Sequence, residues 1–165
     1  SDVRIYSPSD SRKACAADLS ERGIRARAVT SAKAAVKGAD VVVTATTATQ
    51  PVFPPDALDP GSLVVAVGAF TADTQELDPR VLQRARRVFA DVPEEVAETG
   101  DLLASGLGAD DLIELGVPLA DGYLRQSPDE VVVVVSVGSA TLDAAASEAV
   151  YRRAVEADDG TEIPL

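Results

Sequence analysis

From Asp40 to Gln50 the chain reads Asp-Val-Val-Val-Thr-Ala-Thr-Thr-Ala-Thr-Gln, three consecutive β-branched residues followed by small, hydroxyl-bearing ones, and Pro51 then closes the stretch. A run that is apolar on both faces suits a strand covered by helices on both sides, as in a parallel sheet. Small residues after such a strand let a ligand come close to the backbone at the carboxyl edge, where open α/β sheets bind their ligands. A ligand site is therefore expected to begin near Thr44.

The rest of the chain repeats a strand–helix rhythm around that stretch. A strand at 3–6 and the turn Ser7-Pro8-Ser9-Asp10 lead into a helix over 10–22 that Gly23 stops. A strand at 25–29 follows, then a helix capped by Ser31 and ended by Gly38, and then the central strand, 40–45. Four prolines between Pro51 and Pro60 leave a loop with one short turn before the strand 63–67, which Gly68 ends. Asp78-Pro79 opens a helix over 79–86, and a strand spans 87–90. Residues 93–104 read as an acidic helix, 110–114 as one more helical turn, 131–135 as the last strand and 139–157 as a long Ala-rich helix. Alternation of this kind predicts an α/β, doubly wound, mostly parallel sheet over residues 1–157, with 158–165 a tail ordered only if docked on a neighbour.

Composition narrows the function classes. One domain is expected from 165 residues, 46% of them hydrophobic and 4% aromatic, so the core is built from aliphatic side chains. A formal charge of −12 opposes nucleic acid, whose phosphates need clustered cations. Only Lys13, Lys33 and Lys37 are lysines, and the acidic, lysine-poor surface fits either a high-salt cytoplasm or ordinary solubility. Cys15 is the single cysteine and histidine is absent, which leaves no intrachain disulfide, no Cys-based metal site and no imidazole base. Glu98, Asp101, Asp110 and Asp111 read as a solvated acidic face, not as a metal ligand set. The longest apolar run, 131–135, falls far short of the ~20 residues a membrane span requires, so a cytoplasmic protein is expected.

A dinucleotide-binding sheet normally opens with a strand, a glycine-rich turn and a helix whose N-terminus holds the pyrophosphate. No G-x-G-x-x-G occurs here, and the chain starts on what would be the second strand of such a unit. Residues from Ala39 to Val52, Gly61-Ser62-Leu63-Val64-Val65-Ala66-Val67-Gly68-Ala69, Glu76-Leu77-Asp78, Arg84-Ala85 with Val88 and Asp91, Glu98-Thr99-Gly100-Asp101-Leu102, Leu115-Gly116, Ser127-Pro128-Asp129-Glu130 and Ser136-Val137-Gly138-Ser139-Ala140 with Asp143 follow in an order that resembles the ornithine cyclodeaminase and mu-crystallin family. The resemblance covers about residues 3–155 and implies an incomplete Rossmann-like domain whose first βα unit is missing. It also implies a homodimer-forming substrate domain outside these residues, which carries the Arg and Lys that hold the substrate carboxylate. The 165-residue chain alone is then not expected to be a competent enzyme, and its substrate is a small amino acid or cyclic imine.

Site residues follow from the same resemblance. In the cyclodeaminases an acid follows the Val-Gly-x step and shuttles protons at the amine; counting back from Glu76-Leu77, Phe70 stands at that place, and a phenyl ring carries no proton. This leans toward the family's cyclic-imine (ketimine) reductases and small amino-acid dehydrogenases, with Asp73 the remaining candidate acid for a cyclodeaminase. A non-catalytic, mu-crystallin-like binding protein and a degraded paralogue with a structural role stay open. Ser7, Ser9 and Arg12, beyond the first strand, offer hydroxyls and a cation with no acid directly after it, which favours NADP over NAD, although a helix cap beside solvated cations explains the same residues. Thr44, Ala45 and Thr46 are expected to floor the ribose and nicotinamide. Val67, Gly68 and Ala69 bring backbone near the reacting ring, Gly68 through a conformation other residues resist, and Ser136, Val137 and Gly138 are placed at the carboxamide. Glu76 is explained as a carboxylate favoured near a helix start, and Asp143 as structural.

Overall fold

A computed structural model of the chain describes residues 2–122, 125–161 and 163. Strands β1 (Val3–Ile5) and β2 (Ala26–Ala28) pair in parallel, with helix α1 (Ser11–Glu21) between them in sequence. Helix α2 (Ala32–Val36) is capped by the Ser31 hydroxyl, which accepts from the Ala34 N–H at 3.2 Å. It leads into β3 (Val41–Thr44), β4 (Leu63–Ala66) and helix α3 (Pro79–Arg84), whose start is capped by the Asp78 carboxylate accepting from the Arg80 N–H, with Pro79 at the first position where no N–H is needed. Beyond α3 come β5 (Arg87–Ala90), α4 (Pro93–Val96), α5 (Gly100–Ser105), β6 (Ile113–Glu114), α6 (Gly116–Asp121), β7 (Val132–Val135) and α7 (Ala140–Ala157).

Five of these strands form one all-parallel sheet in the order β3-β4-β7-β5-β6. Among the described residues β1 and β2 form a separate ladder with no pairing to β3, and that interruption falls where the strand order 3-2-1-4-5-6 of a dinucleotide-binding sheet places strand 1. Helix α2 connects the two parts: the Arg4 guanidinium donates to the Ala34 carbonyl at 3.1 Å and to the Lys37 carbonyl. The core lies on one side of the large sheet, where Val42, Val64, Val88, Val133 and Val135 pack with Leu77, Val81, Leu82, Val96 and Leu102.

Several expectations are corrected. The central strand β3 is not covered on both faces: Val42 and Thr44 are buried, but Val41 is 54% and Val43 63% exposed, because α1 packs on β1 and β2 and β3 is the edge of its sheet. The single helix expected over 93–104 is two, α4 and α5, because the chain breaks at 97–99 to bring the Gly100 N–H onto the Thr71 carbonyl at 2.9 Å. The helical turn expected over 110–114 ends at Asp111, and Ile113–Glu114 instead pair with Phe89–Ala90 as β6. Helix α6 was not anticipated. Cys15 lies exposed on α1, and no helix among the described residues is long and apolar enough to cross a membrane.

Candidate functional site: the carboxyl edge of the parallel sheet

Register decides which residues share an edge. Thr44 stands opposite Ala66, Ala66 opposite Val135 and Val135 opposite Ala90, so β3, β4, β7 and β5 end level with one another. The segments Thr44–Thr46, Val67–Ala69 and Ser136–Gly138 therefore leave adjacent strands along a common rim. Thr44 and Ala69 are buried, Gly68, Ser136 and Val137 half-buried, and Ala45, Thr46, Val67 and Gly138 exposed.

Two carboxylates tie the rim together. Glu76 is fully buried; its Oε1 accepts from the Thr46 N–H at 2.6 Å, and its Oε2 from the Thr44 hydroxyl and the Gly68 N–H, both at 2.8 Å. This replaces the helix-start explanation, since Asp78, not Glu76, caps α3. Gly68 is glycine for lack of space, not for an unusual conformation: its φ is not positive, and a Cβ there would lie 2.6 Å from the Glu76 Cδ and closer still to the Thr46 backbone. Asp91, at the end of β5, accepts from the Ser136 hydroxyl at 2.7 Å, the Gly138 N–H at 2.8 Å and the Val137 N–H at 3.2 Å. Burial raises its pKa, but the Ser136 hydroxyl and the N–H groups of Val137, Gly138 and Val92 outweigh that and hold it below the ordinary value.

Below Glu76, Asp101 corrects the solvated acidic face. It is 0% exposed, and its Oδ1 accepts from the N–H groups of Glu76 and Leu77 at 2.8 Å each. Among the described residues its Oδ2 has no partner, and burial, followed by the nearby Glu76 carboxylate, pushes its pKa up against those two hydrogen bonds. Glu98, Asp110 and Asp111 are exposed, and no group of metal-ligating side chains occurs among the described residues.

A cavity of about 460 Å³ opens beside this rim, lined by Phe70, Thr71, Ala72, Glu95, Glu98, Leu103 and Val137. Phe70, one of these lining residues, is 62% exposed. Asp73 does not line it; the Asp73 carboxylate accepts from the Thr71 hydroxyl at 2.6 Å, which lowers its pKa. At the end of β1, the hydroxyls of Ser7, Ser9 and Ser11 form a hydrogen-bonded ring with separations of 2.7 to 3.2 Å. Arg12 does not point outward: it donates to the Ser7 carbonyl at 3.0 Å and to those of Pro8 and Ser9, and pairs with Asp10 at 3.5 Å. Ser7, Ser9 and Arg12 thus belong to the separate β1–β2 part. Sequence reasoning missed Glu76 and Asp91 as the organisers of the rim: Asp91 directly follows the last residue of β5, but Glu76 lies ten residues beyond the end of β4, where no local pattern marks it.

The profile of the ornithine cyclodeaminase/mu-crystallin family matches residues 1–158. The chain belongs to that family. Among its relatives, the Δ1-pyrroline-2-carboxylate reductase of Bacillus cereus is 38% identical over 141 residues, which is 81% of this chain and 43% of that protein. The ketimine reductase mu-crystallin of Mus musculus is 35% identical over 125 residues, 76% of this chain and 39% of that protein. The solved structure of Thermococcus litoralis Δ1-pyrroline-2-carboxylate reductase, in complex with NADH and L-proline, superposes with a TM-score of 0.85 at 26% identity, covering 98% of this chain and 52% of that one. The chain thus spans about half the length, or less, of the family members it matches. The family fold accounts for the position of the rim: three parallel strands end level where an open α/β sheet takes its ligand.

Proposed function

We propose that the full-length protein is a nicotinamide-dependent oxidoreductase that reduces the C=N bond of a small cyclic imino acid to the corresponding amino acid. The observation that carries this reading is the rim itself, with Thr44–Thr46, Val67–Ala69 and Ser136–Gly138 side by side at the ends of β3, β4 and β7. Small side chains, a glycine with no room for a Cβ and inward-tied backbone N–H groups fit a flat ring lying across the edge. A bound reduced nicotinamide supplies the hydride. The residues of this chain hold the ring, keep its face free of bulky side chains and line the adjoining cavity.

Phe70 favours reduction over cyclodeamination. It lines the cavity where a cyclodeaminase of this family needs an acid, and Asp73 faces its own turn instead. Two relatives whose names are pyrroline-2-carboxylate and ketimine reductases support the same reading. For the coenzyme we place NADP ahead of NAD: hydroxyls of Ser7, Ser9 and Ser11 ring the end of β1 and no acid directly follows that strand. Arg12 must then leave its carbonyl partners to meet a 2′-phosphate. A homodimer, formed through parts of the protein outside these residues, belongs to the same proposal.

The test follows the reduced nicotinamide absorbance of NADPH and NADH with the full-length protein and Δ1-pyrroline-2-carboxylate. Oxidation dependent on the imine, faster with NADPH, is the expected result. Ammonia release from ornithine without imine reduction would move the assignment to a cyclodeaminase. Folded protein inert toward both substrates would move it to a binding protein.

A further inference from the structure

Helix α7 leaves the sheet with its apolar stripe uncovered. Ala144, Ser147, Tyr151 and Ala154 recur every three or four residues with Val150 and Val155 beside them, while Glu148, Arg152 and Glu156 form a separate charged stripe, joined by the Arg152–Glu148 pair at 2.7 Å. Yet none of its 18 residues is buried, and Val150 is 68%, Tyr151 67% and Val155 62% exposed. A helix takes most of its stability from packing such a stripe, so a body that covers it belongs to the working protein. The chain spans about half the length of the relatives it matches, and the substrate domain outside these residues is that body.

The direction of α7 is fixed at the junction that precedes it. The Ser136 N–H makes the last rung to β4, on the Ala66 carbonyl at 2.9 Å, and α7 begins at Ala140 with Ser139 as its cap. Between them the Ser136 hydroxyl, the Val137 N–H and the Gly138 N–H all donate to Asp91, at 2.7, 3.2 and 2.8 Å. Gly138 turns the chain with φ 80° and open space around it, so packing does not hold the turn. Among the described residues no other side chain bonds to 136–138. Asp91 is itself anchored at the end of β5, where it also accepts from the Val92 N–H at 2.9 Å.

The same turn shapes a cleft. A cavity of about 1020 Å³ lies between residues 140–143 of α7 and helices α4 and α6, with Asp91 and Gly138 in its lining. A helix of 18 residues is about 27 Å long, so a rotation of about 10° at the junction moves its far end by about 5 Å.

We propose that Asp91 is the joint of α7: by holding Ser136, Val137 and Gly138 on the end of β5, it sets the angle at which α7 carries the substrate domain beside the cleft. Asp91 is then a positioning residue that acts on turnover through the placement of that domain. The consequence for turnover rests on the imine-reductase reading above; the angle does not.

The experiment measures the distance between nitroxide labels at Asp110→Cys on the sheet side and Arg153→Cys on α7, both exposed positions. It uses full-length protein whose other cysteines are replaced, diluted with unlabelled protein so that each distance lies within one protomer. The wild-type joint should give one narrow distribution. Asp91→Asn puts an amide donor against an N–H and should shift or broaden the distribution by about 5 Å. Ser136→Ala removes one of the three donors and should move it less; it decides alone if Asp91→Asn does not fold. A broad wild-type distribution, or a narrow one that neither variant moves, would overturn the proposal. In the Asp91→Asn protein kcat/KM for Δ1-pyrroline-2-carboxylate should fall at least about tenfold, and unchanged turnover despite a moved helix would overturn the positioning role. Wild-type protein inert toward the imine, with distances that respond as expected, defeats the reductase reading and leaves the joint in place.

Discussion

Asp91 and Asp101 both accept backbone N–H groups, yet they respond to acid in opposite directions. Asp91 has its pKa depressed below 3.8 in the folded chain, so its ionised form stabilises the fold at neutral pH, and that stabilisation is lost as the pH falls through the folded pKa. Asp101 has its pKa raised above 3.8 by burial, so its ionised form costs stability, and the cost appears as the pH rises from about 4 through the folded pKa. Urea unfolding at a series of pH values should therefore separate the two. The Asp91→Asn variant should lose about 1–3 kcal/mol at neutral pH, and its difference from the wild type should shrink as the pH falls below about 4 and on through the lowered folded pKa. The Asp101→Asn variant should instead improve relative to the wild type as the pH rises from about 4 through the raised folded pKa; parallel curves for either variant would contradict its assignment. Neither role was legible in the sequence. Glu98-Thr99-Gly100-Asp101 reads as an acidic helical surface, and only the return of Glu76 and Leu77 onto Asp101, 25 and 24 residues away in the chain, buries it. Glu76 was hidden for the same reason, because its partners Thr44 and Thr46 are 32 and 30 residues distant.

Elements with strong local signals were legible. Valine runs gave β3, β4 and β7, and Ser31, Asp78 and Ser139 marked helix starts that the structure caps with those side chains. What failed were elements set by tertiary contact: β6 has two residues and exists only as a partner of β5, and α6 carries no cap signal. The division of 93–104 into α4 and α5 belongs to the same class. Gly100 sits where a Cβ would lie 2.9 Å from the Ala72 carbonyl and closer to that of Thr74, so the loop 71–74, which borders the cavity, rests directly on the start of α5. Gly100→Ala should therefore cost about 1–3 kcal/mol by overpacking. Gly106 has open space around it, so Gly106→Ala should cost only about 1 kcal/mol through its left-handed conformation, φ 78°. Denaturant midpoints of the two variants check this, and equal losses would remove the packing argument.

Across the whole chain the fold class and the common rim were readable, because a parallel sheet is written in its valine runs and its ligand edge lies at their carboxyl ends. The interruption between β1 and β3 follows from the missing first βα unit that the resemblance implied, whereas the exposed face of β3 was not readable, since it depends on which helix covers which strand. Net charge acts at this scale too. With −12 spread over the chain, self-repulsion opposes compaction, and salt screens it within about 10 Å at 0.1 M and about 3 Å at 1 M. The melting temperature should rise by several degrees between those concentrations of sodium chloride; a flat or falling profile would show that repulsion is not a significant cost. The strand order also governs the time course of folding. β7 lies between β4 and β5, so Leu63 and Arg87 both wait for Val132 before the middle of the sheet can close. On a ribosome, the six strands β1 to β6 emerge before the ribbon that joins β4 to β5 has been made, and contacts between such distant segments form slowly. The nascent chain must keep its valine edges apart until its last strand arrives.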